Sequence, residues 1–150
     1  MSTKNAIVYS EGLYNCANGK TAHGLVRYSK RYNIACVVDS TLNEGDAGTI
    51  LDGVKRNIPL YNNLDKALKL TGADTFIIGA VSEGGVLPKG YDKAVEWAFK
   101  NGLDVISGLH YFISDDQRFV KLSEEKNCKI IDVRKIFRDI RDFIQGKSTK

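Results

Sequence analysis

Short runs of apolar residues alternate along the chain with segments in which apolar residues recur every three or four positions. The runs are typical of strands buried on both faces of a sheet, and the spaced segments are typical of helices that bury one face. Buried strands are predicted at residues 6–10, 34–39, 75–81, 104–110 and 129–133, with a short extended piece at 58–61. Helices are predicted from near residue 21, from about 63 to 72, over 91–99, after the capping-box sequence 114–117 with Ser114 as N-cap, and over 136–145.

Strands and helices alternate, and no turn sequence typical of a hairpin separates two strands. This order predicts right-handed crossover connections between parallel strands. We therefore expect a single domain over residues 1–150, an α/β fold built as a three-layer Rossmann-like sandwich with a mostly parallel sheet of about six strands. The strand order is expected to be that of nucleotide-binding folds, and Pro59 is expected to place its strand at an edge.

The loop after the first predicted strand carries the first candidate ligand-binding residues, Gly12, Gly19, Lys20 and Thr21. Such a loop offers amide N–H groups and the positive end of a helix dipole, which suit a phosphate or carboxylate, and Lys20 adds a positive charge. Six residues separate Gly12 from Gly19, so the loop is neither a Gly-x-Gly-x-x-Gly fingerprint nor a triphosphate P-loop. The alternative is that the glycines only permit a tight connection and that Lys20 is solvated.

Polar residues and glycines also follow the next buried strands. Asp39 ends the second run, about twenty residues beyond Gly19, where dinucleotide folds bind ribose hydroxyls. A turn-forming aspartate is an equal alternative for this residue. Ser82, Gly84 and Gly85 follow a later strand and are predicted to form the opposite wall of a ligand cleft.

Both histidines of the chain lie where they could contact a ligand in this cleft. His23 falls in the first turn of a predicted helix, where it could orient the loop or donate to a ligand. His110 ends a buried strand and is the candidate catalytic acid or base. For either residue, a structural hydrogen bond is an equal alternative.

Composition narrows the classes of function. The net charge of +4 is concentrated in residues 131–150, which carry six basic and three acidic residues, so no basic stripe predicts nucleic-acid binding. Three widely spaced cysteines predict neither disulfides nor a zinc site, and no cluster with metal-ligand spacing is present. With neither a bilayer-spanning run nor a signal peptide, the chain is expected to be cytoplasmic and not to bind membranes.

Several segments together resemble the N-terminal domain of the D-glutamate N-acetyltransferase-like family, long labelled as of unknown function or as NAD-dependent epimerase/dehydratase. The most specific are Lys-Thr-Ala-His-Gly at 20–24 and Ser-Gly-Leu-His at 107–110, with further likeness at 25–28, 38–39, 46–48, 84–88, 102–106 and 132–135. The resemblance implies a Rossmann-like domain that in typical members precedes a P-loop-type domain, with activity in some members toward D-glutamate and acetyl-CoA. That second domain is expected to be absent here, so the chain is either a free-standing relative or a fragment.

These observations favour a small-molecule-binding Rossmann-like domain for a nucleotide-type or acidic ligand. The resemblance implies a role as one half of an N-acyltransferase, with acetyl-CoA or a nucleotide as the cofactors to consider. One alternative is a non-catalytic regulatory or assembly module that docks a partner, or a second copy of itself, through the helix over 136–145. A third alternative is an NAD(P)-dependent oxidoreductase. It is the weaker one because the glycine fingerprint that usually binds the dinucleotide is missing.

Overall fold

The computed structural model describes residues 4–82, 84–136 and 138. The described residues up to 132 contain seven strands and five α-helices, in the order β1 (Lys4–Tyr9), α1 (Lys20–Tyr28), β2 (Tyr32–Val38), β3 (Gly45–Asp46), α2 (Ala47–Asp52), β4 (Pro59–Tyr61), α3 (Leu64–Thr71), β5 (Thr75–Ile78), α4 (Tyr91–Lys100), β6 (Asp104–Ser107), α5 (Gln117–Glu125) and β7 (Ile130–Asp132). Short 3-10 turns at Ala17–Gly19 and Ile113–Asp115 precede α1 and α5. The predicted alternation of strands and helices is therefore confirmed.

All seven strands form one sheet in the order β3-β4-β2-β1-β5-β6-β7. Every neighbouring pair is parallel except β3 with β4. Without the two-residue β3, the remaining six strands have the order of a dinucleotide-binding fold. In such folds the chain builds one half of the sheet outward from β1 and then returns to build the other half from β5. The three-layer Rossmann-like prediction is correct, and so is the predicted strand order.

Helices cover both faces of the sheet because alternate residues of each central strand point to opposite sides. On one face, Ile7 of β1 and Phe76 of β5 pack with α3, α4 and α5. On the other face, Val8 of β1 and Ile77 of β5 pack with α1 and α2. The loops that leave β1 and β5 therefore run to opposite faces of the sheet.

Three local predictions need correction. β4 lies second from the edge, because the short β3 pairs along its outer side, so Pro59 is not in an edge strand. Helix α5 begins two residues later than the capping box predicts, and its N-cap is Asp116, whose carboxylate accepts from the amide of Arg118. The β6 strand ends at Ser107, which leaves His110 in a loop.

The predicted amphipathic helix over 136–145 lies outside the described residues except for 136 and 138, which are helical together with residues 133–135. The ring of Trp97 in α4 packs against the core, and its Nε1 donates to Asp65 Oδ1 at 2.7 Å. No α-helix within the described ranges has the length and apolar character needed to cross a bilayer.

Candidate ligand-binding site at the carboxyl edge of the sheet

The loops that follow β1 and β5 meet where the strand order reverses. Gly79 N donates to Tyr9 O and Val81 N donates to Asn18 O, each at 2.8 Å. In open parallel sheets this point is where the two loops diverge and leave a crevice for a ligand. Here backbone hydrogen bonds join the loops, so the space between them is closed beside β1 and β5.

The carboxylate of Asp39 holds the loop after β1 in place. Asp39 is fully buried, and it accepts hydrogen bonds from Gly12 N at 3.0 Å and Tyr14 N at 3.2 Å. Thr41 donates to the same carboxylate through its amide at 2.9 Å and its hydroxyl at 2.6 Å. Asp39 thus accepts from the loop amides that were predicted to bind an anion. The predicted contact of Asp39 with a ribose hydroxyl stays a prediction, and this arrangement does not favour it.

The rest of the loop is also closed by its own hydrogen bonds. The amides of Leu13, Cys16 and Gly19 donate to loop carbonyls at 3.0 to 3.2 Å. Gly19 is buried, and a Cβ there would lie 2.4 Å from Leu13 O. The structure therefore shows a close-packed connection around Gly19, with Lys20 exposed and Thr21 half-buried at the start of α1.

His23 has the loop-orienting role that was one of its two predicted roles. Its Nε2 lies 2.5 Å from Tyr14 O, and because a carbonyl oxygen can only accept, Nε2 carries the proton. The Tyr14 ring packs edge-on against the imidazole with centroids 5.4 Å apart. A contact from His23 to a ligand stays a prediction.

Tyr14 is a loop residue whose importance sequence reasoning missed. It is 1% exposed, and its hydroxyl donates to Ala47 O at 2.6 Å. Burial raises the pKa of Tyr14 to about 12, so the hydroxyl remains a donor. The only sequence signal was one aromatic residue among polar ones in a long loop.

Glu11 joins the same loop to its neighbours. Ser40 donates to the Glu11 carboxylate through its amide, at 2.6 Å to Oε1, and through its hydroxyl. Tyr91, the first residue of α4, donates from its hydroxyl to Glu11 O at 3.0 Å. These bonds bring the ends of β1 and β2 and the start of α4 to one side of the sheet.

A cavity of about 330 Å³ opens beside this junction, on the face covered by α3 and α4. The loops after β1, β2 and β4 form its walls together with α4. Its lining comprises Tyr9, Glu11, Val38, Ser40, Asn62, Asn63, Leu64, Asp65, Gly90, Lys93, Ala94 and Trp97. We call this space the α3–α4 cavity. The sequence did not predict this cavity. The available signal was that Asn62 and Asn63 directly follow β4, at the carboxyl edge of the sheet where ligand-binding residues were expected.

Tyr9 forms part of the floor of the α3–α4 cavity. Its ring packs against Tyr91 and Phe76, with centroids 4.8 and 5.3 Å apart. Burial, aided by the negative charges of Glu11 and Asp39, raises the pKa of Tyr9 above its ordinary value of 10.0. The hydroxyl is therefore protonated at neutral pH and can donate.

His110 lies in a second cavity of about 480 Å³. Among the residues predicted for the site, it shares this space only with Gly85, whose added Cβ would lie 4.0 Å from His110 Cβ. The other lining residues are Tyr111, Phe112, Asp115, Asp116 and Gln117. Gly84 is exposed nearby in the loop, and the Ser82 hydroxyl donates to Val86 O at 2.5 Å.

The predicted site residues therefore share the carboxyl edge of the sheet but divide between two places. Gly12, Gly19 and His23 surround the closed loop after β1, while Gly85 and His110 line the second cavity. No grouping of His, Cys, Asp and Glu suited to a metal ion occurs in the part of the chain that the structure describes.

Comparison with known proteins identifies the family. Residues 40–136, more than half of the chain, match the model of a family described as a domain of unknown function with a Rossmann-like domain, DUF1611_N. The chain belongs to this family. The resemblance inferred from the sequence segments is confirmed, and the matched region contains β3 to β7 together with α2 to α5.

A curated relative of this DUF1611_N chain is a D-glutamate N-acetyltransferase from Pseudoalteromonas. It is 38% identical over 69 residues, which are 46% of this chain but 20% of the relative. The chain therefore matches only about a fifth of that enzyme's length.

Two solved structures share the fold. A DUF1611 family protein from Anabaena variabilis superposes with a TM-score of 0.76 at 23% identity, over 88% of this chain and 37% of its own. The amine dehydrogenase of Mycobacterium smegmatis superposes with a TM-score of 0.63 at 15% identity, over 86% of this chain and 38% of its own. Both likenesses concern the Rossmann-like architecture.

Proposed function

We propose that this domain binds a nucleotide-type or acidic small molecule and acts as one part of an amino-acid N-acetyltransferase. The observation that carries the proposal is the α3–α4 cavity, which lies at the carboxyl edge where doubly wound sheets bind their ligands. Its walls combine apolar side chains with a few polar ones, which is the usual composition of a small-molecule site.

The curated relative supplies the chemistry to test first. Because it is a D-glutamate N-acetyltransferase, D-glutamate and acetyl-CoA are the first candidate ligands. The aligned segment is 20% of that enzyme, so we propose that transfer of the acetyl group also needs a further domain or a second copy of the chain.

His110 remains the proposed proton carrier. Its imidazole is exposed and takes part in no hydrogen bond to the described residues, which leaves it free to meet a substrate. It lines the second cavity, so we assign it to the substrate's reacting group and the α3–α4 cavity to ligand binding.

The hydride-transfer alternative is less well supported. A dinucleotide needs amide groups in the loop after β1 for its pyrophosphate, and here Asp39 accepts from two of them. The likeness to an amine dehydrogenase supports the shared fold alone.

A thermal-shift panel with acetyl-CoA, ATP, NAD and D-glutamate tests the proposal. A ligand present at about 100 times its dissociation constant adds roughly 2.7 kcal/mol to the free energy of unfolding, so binding raises the melting temperature clearly. We expect such a shift for at least one of the four compounds, and unchanged melting with all of them would reject the proposal.

Two variants of helix α4 locate the binding. Lys93 lines the α3–α4 cavity, whereas Lys100, at the other end of the helix, does not. We expect Lys93→Ala to reduce the ligand-induced shift and Lys100→Ala to leave it unchanged. Equal shifts in the two variants would place the ligand elsewhere.

A further inference from the structure

The Tyr9 side chain is mostly buried, but the hydrogen-bonding capacity of its hydroxyl is not satisfied within the described residues. Tyr9 is 8% exposed, and its hydroxyl forms no hydrogen bond with any described residue. Within residues 4–82, 84–136 and 138, no fully buried side-chain nitrogen or oxygen lacks a partner. The Tyr9 hydroxyl must therefore keep some access to open space, and the space that Tyr9 lines is the α3–α4 cavity.

Charge in the α3–α4 cavity favours a ligand that donates hydrogen bonds. Among the described residues of the lining, Glu11 and Asp65 contribute two carboxylates and Lys93 contributes one ammonium group. Asp65 accepts from Trp97 through Oδ1, and no hydrogen bond to its Oδ2 is formed by the described residues. This excess of negative charge opposes an acidic ligand, whereas hydroxyl and amino groups suit carboxylate acceptors.

The apolar part of the lining favours a flat ring. Val38, Leu64, Ala94 and the ring of Trp97 line the same cavity as the polar groups. A volume of about 330 Å³ lies at the lower end of the range for small-molecule sites, so it suits one compact ligand better than a dinucleotide.

We propose that the α3–α4 cavity binds the nucleoside part of a nucleotide-type ligand, with Tyr9 and Asp65 binding its sugar hydroxyls and the apolar wall packing against its base. This inference rests on the proposed function and narrows it, because it selects the nucleotide-type ligand over the acidic one for this cavity. In this arrangement the phosphate groups extend toward Lys93, a lining residue that is exposed to solvent. They do not enter the loop after β1, whose amides at Gly12 and Tyr14 donate to Asp39.

The probes are adenosine, whose two ring hydroxyls are free in ATP and NAD as well, and 2′,3′-dideoxyadenosine, which lacks both of them. We expect isothermal titration calorimetry of the full chain to show adenosine binding about tenfold more tightly, the equivalent of one or two hydrogen bonds. In Tyr9→Phe, we expect adenosine to bind about 3- to 10-fold more weakly and the preference for adenosine to shrink.

Tyr9→Phe is a clean variant because it removes a hydroxyl that has no described partner, so its melting temperature is expected to match that of the natural chain. Tyr28→Phe is the matched control, since Tyr28 is 75% exposed and lies outside the cavity. We expect this control to bind adenosine like the natural chain.

The possible failures are distinguishable. If acetyl-CoA, ATP, NAD or D-glutamate binds but adenosine does not, the inference is overturned and the proposed function stands. Equal binding of adenosine and its dideoxy analogue also overturns the inference. If none of these compounds binds, the inference and the proposed function both fail.

Discussion

Gly79 allows helix α1 to pack closely on the sheet. It directly follows β5, and a Cβ at this position would lie 2.6 Å from Val8 Cγ1 and 2.9 Å from Ala22 Cβ. Ala22 belongs to α1 and Val8 to β1, so one missing side chain determines how near the helix lies to two strands.

Adding a methyl group at this point is expected to destabilise the fold. Gly79→Ala should lower the free energy of unfolding by about 1–3 kcal/mol, because the neighbouring backbone and side chains must shift. Gly24→Ala is the matched control in α1, where an added Cβ meets nothing within 4 Å. That change should raise stability by roughly 0.5–1 kcal/mol, since alanine is the better helix former. Urea denaturation of both variants measures these effects, and equal losses would contradict the assignment.

Asp46 makes the stability of the α2 region depend on pH. Partial burial of Asp46 raises the pKa of its carboxyl group, but hydrogen bonds from the amides of Thr49, Arg56 and Ile58 together have the larger, opposite effect. The pKa is therefore lowered from an ordinary value of 3.8 to about 2. In the unfolded chain the hydrogen bonds from these amides to Asp46 are lost. The native state therefore holds this carboxylate ionised at pH values where the unfolded chain takes up a proton.

The Asp46 contribution to stability is expected to be complete above about pH 4 and to disappear as the pH falls toward 2. Asp46→Asn should therefore be less stable than the natural chain at pH 7, and the difference should narrow in acid. Chemical denaturation at a series of pH values measures it. A difference that stays constant down to pH 2 would show that the carboxylate charge has no part in it.

At the scale of secondary-structure elements, the start of α5 shows how two capping residues compete. The sequence predicts Ser114 as N-cap, but Ser114 belongs to the 3-10 turn, where its amide donates to Asp132 Oδ2 at 2.9 Å. Asp116 caps the helix instead, and its Oδ2 also accepts from the Tyr111 hydroxyl at 2.7 Å. The buried carboxylate of Asp132 thus shifts the helix start along the chain.

Alanine substitutions at Ser114 and Asp116 should differ in their effect on stability. Asp116→Ala is expected to cost about 1 kcal/mol of stability, the usual cost of losing an N-cap. Ser114→Ala removes only a hydroxyl that accepts from Lys135 Nζ at 2.9 Å, so its cost should be smaller. Thermal denaturation of the two variants compares them, and a larger loss in Ser114→Ala would restore the sequence-based assignment.

At the scale of the whole molecule, β1 is the centre of the fold. It pairs with β2 on one side and with β5 on the other, and its residues contribute to the core on both faces. β3 and β7 lie at the two edges and contain two and three residues. Stability is therefore expected to decrease from the centre of the sheet outward.

Hydrogen exchange should show this gradient. Amides of β1 and β5 should exchange only through global unfolding, whereas those of β3 and β7 should exchange through smaller local openings. Exchange measured by mass spectrometry on the native chain tests the ranking. Protection of β7 equal to that of β1 would mean that the edge is stabilised by contacts beyond the sheet.

The amino-acid sequence was sufficient for most of the elements, their order and the architecture, although it predicted neither β3 nor the exact start of α5. Apolar periodicity reports which residues of one segment share a buried face, so it depends only on neighbours along the chain. Asn63 and Gly72, for example, bound α3 where they were expected to. Alternation of strands and helices then restricts the topology to a parallel sheet.

The location and state of the ligand site depend instead on contacts between distant segments. Asp39 accepts from Gly12, 27 residues away, and Tyr91 donates to Glu11 across 80 residues. No local pattern reports such contacts, so the sequence could not show that the loop after β1 is closed by Asp39. Nor could it show that the open space lies beside Tyr9, because a cavity is what remains after all the surrounding side chains have packed.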